Sequence, residues 1–202
     1  RIDGISAVFL PHDPDGAPDF TAFQAHLIRT HPAGLQPAVN MDTGFGPQLT
    51  PAQRVEVLTL SRKALGTAPF IAGAGAFGET YEQAVKSILD VGATPIIFQT
   101  DAFASGDVVA LYRKIIAPAP KALAFELGKM FAPFGRIYDL ETWKRLLDIP
   151  NLVGAKHSSL SRTEELARLE LKDKQLPDFK VYTGNDLAID MVMYGSDYLL
   201  GI

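Results

Sequence analysis

Apolar residues in this chain cluster in short runs, at 5–10, 35–39, 70–72, 95–98, 122–127, 152–155, 179–182 and 198–200. Each run is bounded by turn residues, and all but the last are followed by a longer stretch with helical spacing. Such runs read as strands covered on both faces, and the alternation reads as successive βα units around a parallel sheet. The helix starts are written into the sequence. Thr50-Pro51-Ala52-Gln53 combines a capping box with proline at the first helical position, and Thr80-Tyr81-Glu82-Gln83 and Ser161-Arg162-Thr163-Glu164 repeat the S/T-x-x-E/Q signal. Further helices are predicted over 20–29, 107–116, 140–147 and 187–194.

Eight strands alternating with seven helices predict an α/β fold of the (β/α)8 TIM-barrel type, as one domain over residues 1–202. A doubly wound dinucleotide fold fits less well. Gly73-Ala74-Gly75-Ala76-Phe77-Gly78 has the G-x-G-x-x-G spacing, but it follows the third strand. The position where an acidic residue would meet a ribose falls in the apolar run 95–98.

Composition narrows the chemistry. With 19 basic and 23 acidic side chains and no basic run, the chain is a poor partner for nucleic acid. It has no cysteine, which removes disulfides, thiolate metal sites and a cysteine nucleophile together. No apolar run approaches the roughly 18 residues that span a bilayer, and no signal-peptide pattern opens the sequence, so the expectation is a cytoplasmic protein.

In a barrel the chemistry sits at the C-terminal ends of the strands. The polar residues expected there are Asn40, Asp42 and Thr43; Gln99, Thr100 and Asp101; Glu126; Lys156 and His157; and Gly184, Asn185 and Asp186. Lys156 closes an apolar strand with no acidic neighbour in sequence. It is either a lysine that snorkels to the rim or pairs with Asp186 or Glu126, or an amine desolvated so that it attacks a carbonyl and forms a Schiff base. Asn40-Met41-Asp42-Thr43-Gly44-Phe45-Gly46 is either a simple turn or a loop whose amides and hydroxyl face an anion. His157 is expected to point away from Lys156, and Asp186 to cap a helix.

These pieces, in this order, resemble the dihydrodipicolinate synthase and N-acetylneuraminate lyase group of class I aldolases. Ile71-Ala72-Gly73-Ala74-Gly75 is similar to the family's "iaGvG", Val153-Gly154-Ala155-Lys156 to its "vGiK" Schiff-base segment, and Thr183-Gly184-Asn185-Asp186 to its "G-x-D". The resemblance covers essentially the whole chain. It implies that Lys156 condenses with pyruvate or another 2-oxo acid, so that a carbon–carbon bond is made or broken beside the iminium. It also implies no metal and no separate cofactor, an aldehyde as second substrate, and a homotetramer or dimer. Thr43 and Gly44 remain from the family's carboxylate loop, and Gly184 and Leu200 are expected to border the substrate.

Two departures stand out. The loop after the second strand has Asp42 where the family has a hydroxyl. The fifth strand places Phe125, followed by Glu126, where the family has its proton-shuttling tyrosine, and Phe103 replaces a second aromatic hydroxyl. The expectation is therefore that Glu126, with a raised pKa, or Asp42 takes over acid/base work, that Phe125 and Phe103 line the substrate, and that the enzyme is not a true dihydrodipicolinate synthase. Two alternatives stay open at this point. One is a metal-dependent lyase using Asp42, Asp101, Glu126, Asp186 and His157; the other is an impaired 2-oxo acid binding protein. A complete barrel takes about 250 residues, so 202 residues ending in strand eight are read as the catalytic part of a longer chain, without the last helix and a C-terminal helical extension.

Overall fold

A computed structural model describes residues 2–201, with side chains described for 2–199. The strands are β1 (Gly4–Ala7), β2 (Gln36–Val39), β3 (Ile71–Ala74), β4 (Thr94–Ile97), β5 (Ala122–Leu127), β6 (Leu152–Ser158), β7 (Lys180–Thr183) and β8 (Asp197–Gly201). They follow one another as a closed parallel barrel in the order β1 to β8, the (β/α)8 arrangement expected from the apolar runs. The α-helices are α1 (Phe20–Thr30), α2 (Pro51–Leu65), α3 (Tyr81–Asp90), α4 (Val108–Ile116), α5 (Leu140–Leu147) and α6 (Arg162–Gln175). The seventh connection, expected as a regular helix over 187–194, is a 3-10 helix over Asp186–Tyr194 interrupted by non-helical backbone at Ala188.

Contacts divide the chain into two compact units, 4–95 and 96–200, the second joined by the residues before Gly4. In the first unit Ile5 lies beside Gln36 and Ala38 beside Ile71. α2 and α3 begin with complete capping boxes, Thr50 with Gln53 and Thr80 with Gln83. Arg54, buried on α2, works on the loops rather than the helix. Its guanidinium donates to the carbonyls of Gly46, Leu49 and Phe77 and pairs with Glu79 at 2.7 Å, tying the loops after β2 and β3 to one side chain.

In the second unit β5, β6 and β7 are in register as Phe125–Lys156–Tyr182, one position before Glu126–His157–Thr183. Neighbours across a parallel pair point the same way, and successive residues point to opposite faces. The second row therefore faces the helices. Trp143 of α5 and Arg168 of α6 bind Glu126, and Glu165 of α6 accepts from Thr183. The first row faces away from them, which in a barrel is the inner side. At the start of α6 only half of the expected capping box forms: Ser161 accepts from the Glu164 amide.

Candidate active site

Lys156 lies near the C-terminal end of β6 and is only 8% exposed. Its ammonium nitrogen sits 4.4 Å from the centre of the Phe125 ring, a cation–π contact at the inner face. Phe125 is itself held edge-on by Phe98, with ring centres 5.1 Å apart. The other wall is backbone. Gly184 donates its amide to the His157 carbonyl at 2.8 Å, and a Cβ at Gly184 would fall 2.8 Å from Lys156 Cε and 2.1 Å from Ser158 Oγ. Glycine is needed there because the lysine stem occupies the space a side chain would take. Phe125 and Gly184, both expected to border the substrate, thus stand against Lys156.

Two inner-face hydroxyls were missed by the sequence reading. Ser158 follows Lys156 by two residues and is buried on the same face, its Oγ 3.4 Å from the Gly184 carbonyl. Tyr182 is paired with Lys156 in register and is also buried. Burial, followed by the charges of Asp197 and Asp3, pushes the Tyr182 phenol well above its ordinary range, so it stays a hydroxyl donor. The i+2 spacing of Lys156 and Ser158 was readable, but the pairing that brings in Tyr182 was not.

Glu126 does not do what its sequence position suggested. It lies on the opposite face from Lys156 and is fully buried beneath α5 and α6. Its carboxylate accepts from Arg168 Nε and Nη2 at 2.9 and 2.7 Å, from Trp143 Nε1 at 3.1 Å and from the Tyr138 amide at 2.6 Å. His157 Nδ1 completes the set at 2.6 Å from Oε2. Burial alone would raise the carboxyl pKa, but His157 and Arg168 outweigh it and hold the group below the ordinary carboxylate range. The expected raised pKa and general acid/base role are therefore both corrected: Glu126 has a lowered pKa and ties β5 to the helix layer. His157, as expected, points away from Lys156, and its Nε2 meets Ser159 Oγ at 2.6 Å.

The loop after β2 folds as two 3-10 turns, Asp42–Gly44 and Gly46–Gln48, joined through Phe45. Thr43 donates its hydroxyl to the Ala7 carbonyl at 2.9 Å, which leaves the oxygen able to accept. The Gly44 amide donates to Met41 O at 3.1 Å, the Phe45 amide to Asp42 O and the Gly46 amide to Met41 O. Three amides expected to face an anion are thus used inside the loop, which corrects the carboxylate-binding expectation for Gly44. Asp42 is exposed at the start of the first turn. Phe103, expected to line the substrate, is fully buried with its ring centre 5.0 Å from that of Tyr112 on α4, so it offers a ligand no surface. The side chain of Leu200 lies outside the described residues. Among the described residues no group of three or more His, Asp or Glu side chains is placed to hold a metal ion. No helix among them is long and apolar enough to cross a membrane.

Comparison with known proteins agrees with the family resemblance, although no family model matches. Over 190 residues, 91% of this chain, it is 26% identical to 4-hydroxy-tetrahydrodipicolinate synthase of Kosmotoga olearia, and it spans 64% of that relative's length. Among solved structures it is similar to a monomeric dihydrodipicolinate synthase variant, with a TM-score of 0.85 at 20% identity over 100% of this chain and 69% of that one. Dihydrodipicolinate synthase of Rhodopseudomonas palustris gives 0.84 at 17% identity, over 100% and 70% of the two chains. N-acetylneuraminate lyase of Mycoplasma synoviae gives 0.77 at 15% identity, over 99% and 68%.

Proposed function

We propose that this chain, similar in sequence to one 4-hydroxy-tetrahydrodipicolinate synthase and in fold to that enzyme group and to N-acetylneuraminate lyase, carries the Schiff-base centre of a lyase or aldolase acting on pyruvate or a related 2-oxo acid. The observation that carries this reading is Lys156: an inner-face lysine at a strand's C-terminal end, screened from water between an aromatic ring and a glycine that yields it space. Lysine is among the residues least often buried.

In the proposed reaction the Lys156 ammonium gives up a proton and the amine attacks the keto carbon; the keto oxygen takes back that proton and one from the nitrogen and leaves as water, giving a protonated imine. Loss of a proton from the adjacent carbon gives an enamine, whose carbon attacks an aldehyde to form the new carbon–carbon bond. Water then hydrolyses the imine and frees the lysine. The cleavage direction runs the same steps in reverse. Proton transfer cannot fall to Glu126, which is on the other face and bound to Arg168. We assign it to the inner-face hydroxyls, Tyr182 and Ser158. Thr43 is proposed to bind the 2-oxo acid carboxylate through its hydroxyl, and Asp42 is left without a role. The proposed setting is the cytoplasm, and the proposed assembly an oligomer.

The test is borohydride trapping. Incubation with pyruvate, reduction and peptide mapping should place the added mass on Lys156, and Lys156→Arg should abolish it. Absence of an adduct with any 2-oxo acid tested would reject the reading. The metal-dependent alternative loses support because Glu126 and His157, two of its five proposed ligands, are committed to each other, and Glu126 to Arg168 as well.

A further inference from the structure

In the 4–95 unit, the loops after β1 and β2 line an open cavity of about 620 Å³ that the proposed chemistry does not use. Sites for small organic ligands run from about 300 to 1,000 Å³. Phe9, Pro11 and His12 come from one loop, and Phe45, Gln48 and Leu49 from the other; no Lys, Arg, Asp or Glu is among the described lining residues.

Three aromatic rings meet here edge to face. The Phe45 ring centre lies 5.9 Å from that of Phe9 at an interplanar angle of 66°, and 5.0 Å from that of His12 at 87°. Phe9 nevertheless remains 40% exposed. The arrangement is not relaxed. Phe45 joins its two 3-10 turns in the left-handed region, at φ 54° and ψ 22°, where glycine would sit without cost. A bulky side chain there costs about 1 kcal/mol. The chain thus keeps a strained residue whose ring is half-buried against two others at the edge of a cavity whose described lining has no Lys, Arg, Asp or Glu.

Polar groups limit what fits. His12 Nδ1 donates to the Leu10 carbonyl at 3.0 Å, which fixes the ring's orientation. Gln53, also in the wall, uses its carbonyl oxygen to accept from the Thr50 amide and hydroxyl, both at 2.9 Å. Its NH2 is the half with donors to offer an oxygen on a ligand.

We propose that this cavity is a binding site for an uncharged aromatic small molecule bearing an oxygen substituent, its ring completing the edge-to-face cluster of Phe9, His12 and Phe45. The inference stands apart from the lyase reading and is tested separately, by direct binding. In fluorine NMR titrations, 4-fluorobenzyl alcohol should bind the chain saturably, and cyclohexylmethanol should compete poorly. Phe9→Ala and Phe45→Gly should each weaken binding about 10-fold, the loss of one edge-to-face partner and its buried area. Phe45→Gly suits the local backbone, so it should melt no lower than the parent. If it does not fold, Phe9→Ala and the cyclohexyl competition decide. Absence of saturable binding, equal binding by the variants, or equally tight cyclohexylmethanol would overturn the proposal. So would sedimentation showing that a second copy of the chain covers the cavity in solution.

Discussion

Glu126 Oε2 lies 2.6 Å from His157 Nδ1, on the helix-facing side of the two strands whose inner side carries Phe125 and Lys156. One residue of register thus separates a structural ion cluster from the proposed reaction centre.

Removing the charge from that cluster should cost stability rather than chemistry. Glu126→Gln leaves Arg168 buried without its counter-charge, a loss of about 3 kcal/mol or more. Because the folded-state pKa of Glu126 lies below its ordinary value of 4.5, its contribution is complete above that pH and fades as pH falls through the lower folded value. Denaturant titrations should show a constant gap between parent and variant at neutral pH that narrows in acid. Where the variant is folded, Lys156 should still be trapped by borohydride.

Gly184→Ala tests the close wall. The new methyl would meet Ser158 Oγ, Lys156 Cε and the His157 carbonyl, at 2.1, 2.8 and 3.0 Å. The carbonyl is backbone and cannot swing aside. Overpacking of this kind costs about 1–3 kcal/mol, and the displaced lysine should form its adduct about 10-fold more slowly if misplacement costs some 1.4 kcal/mol. An unchanged trapping rate would mean that Lys156 does not need its present position.

Tyr182→Phe separates adduct formation from turnover. If the phenol moves protons beside the imine, kcat should fall about 100-fold while the borohydride adduct still forms. The phenol's raised pKa keeps it protonated through neutral pH, so no loss of activity traceable to its ionisation should occur there. A full-speed variant would hand the role to Ser158, to be checked with Ser158→Ala.

Thr43→Val and Thr43→Ser divide a structural tie from a ligand contact. Serine can keep the 2.9 Å bond to the Ala7 carbonyl and an oxygen lone pair; valine keeps neither. A lost hydrogen bond to a carboxylate costs about 1.5 kcal/mol or more. The pyruvate concentration for half-maximal trapping should therefore rise about 10-fold in the valine variant and stay near the parent's in the serine variant. Equal values in all three would leave Thr43 as a loop tie alone.

What could be read from the sequence follows the range of the forces involved. Apolar runs and capping boxes act locally, so the eight strands and the starts of α2 and α3 were visible in composition and spacing. The inner-face burial of Lys156 could only be half read: its strand was visible, but β6 runs two residues past it, to Ser158. The role of Glu126 was hidden because it depends on Arg168, 42 residues away on α6, and on which face of β5 turns inward. Alternation shows that Phe125 and Glu126 face opposite ways, but only the pairing with Lys156 says which is which. Phe103 misled for the same reason: its partner, Tyr112, lies on a different element. The internal hydrogen bonds of the Thr43 loop depend on Phe45 adopting a conformation that its side chain disfavours, which no propensity would suggest.

Arg54 grips the loops after β2 and β3 mainly by carbonyl oxygens, those of Gly46, Leu49 and Phe77, and it also pairs with the Glu79 side chain. A main-chain carbonyl is present whatever residue carries it. The identities of Leu49 and Phe77 can therefore change without undoing the anchor, whereas Gly46 is fixed for another reason: a Cβ there would lie 2.2 Å from the Asn40 carbonyl oxygen. One arginine lets a scaffold vary the residues its loops present while their path stays fixed, a division of labour that suits changing specificity by substitution rather than by refolding.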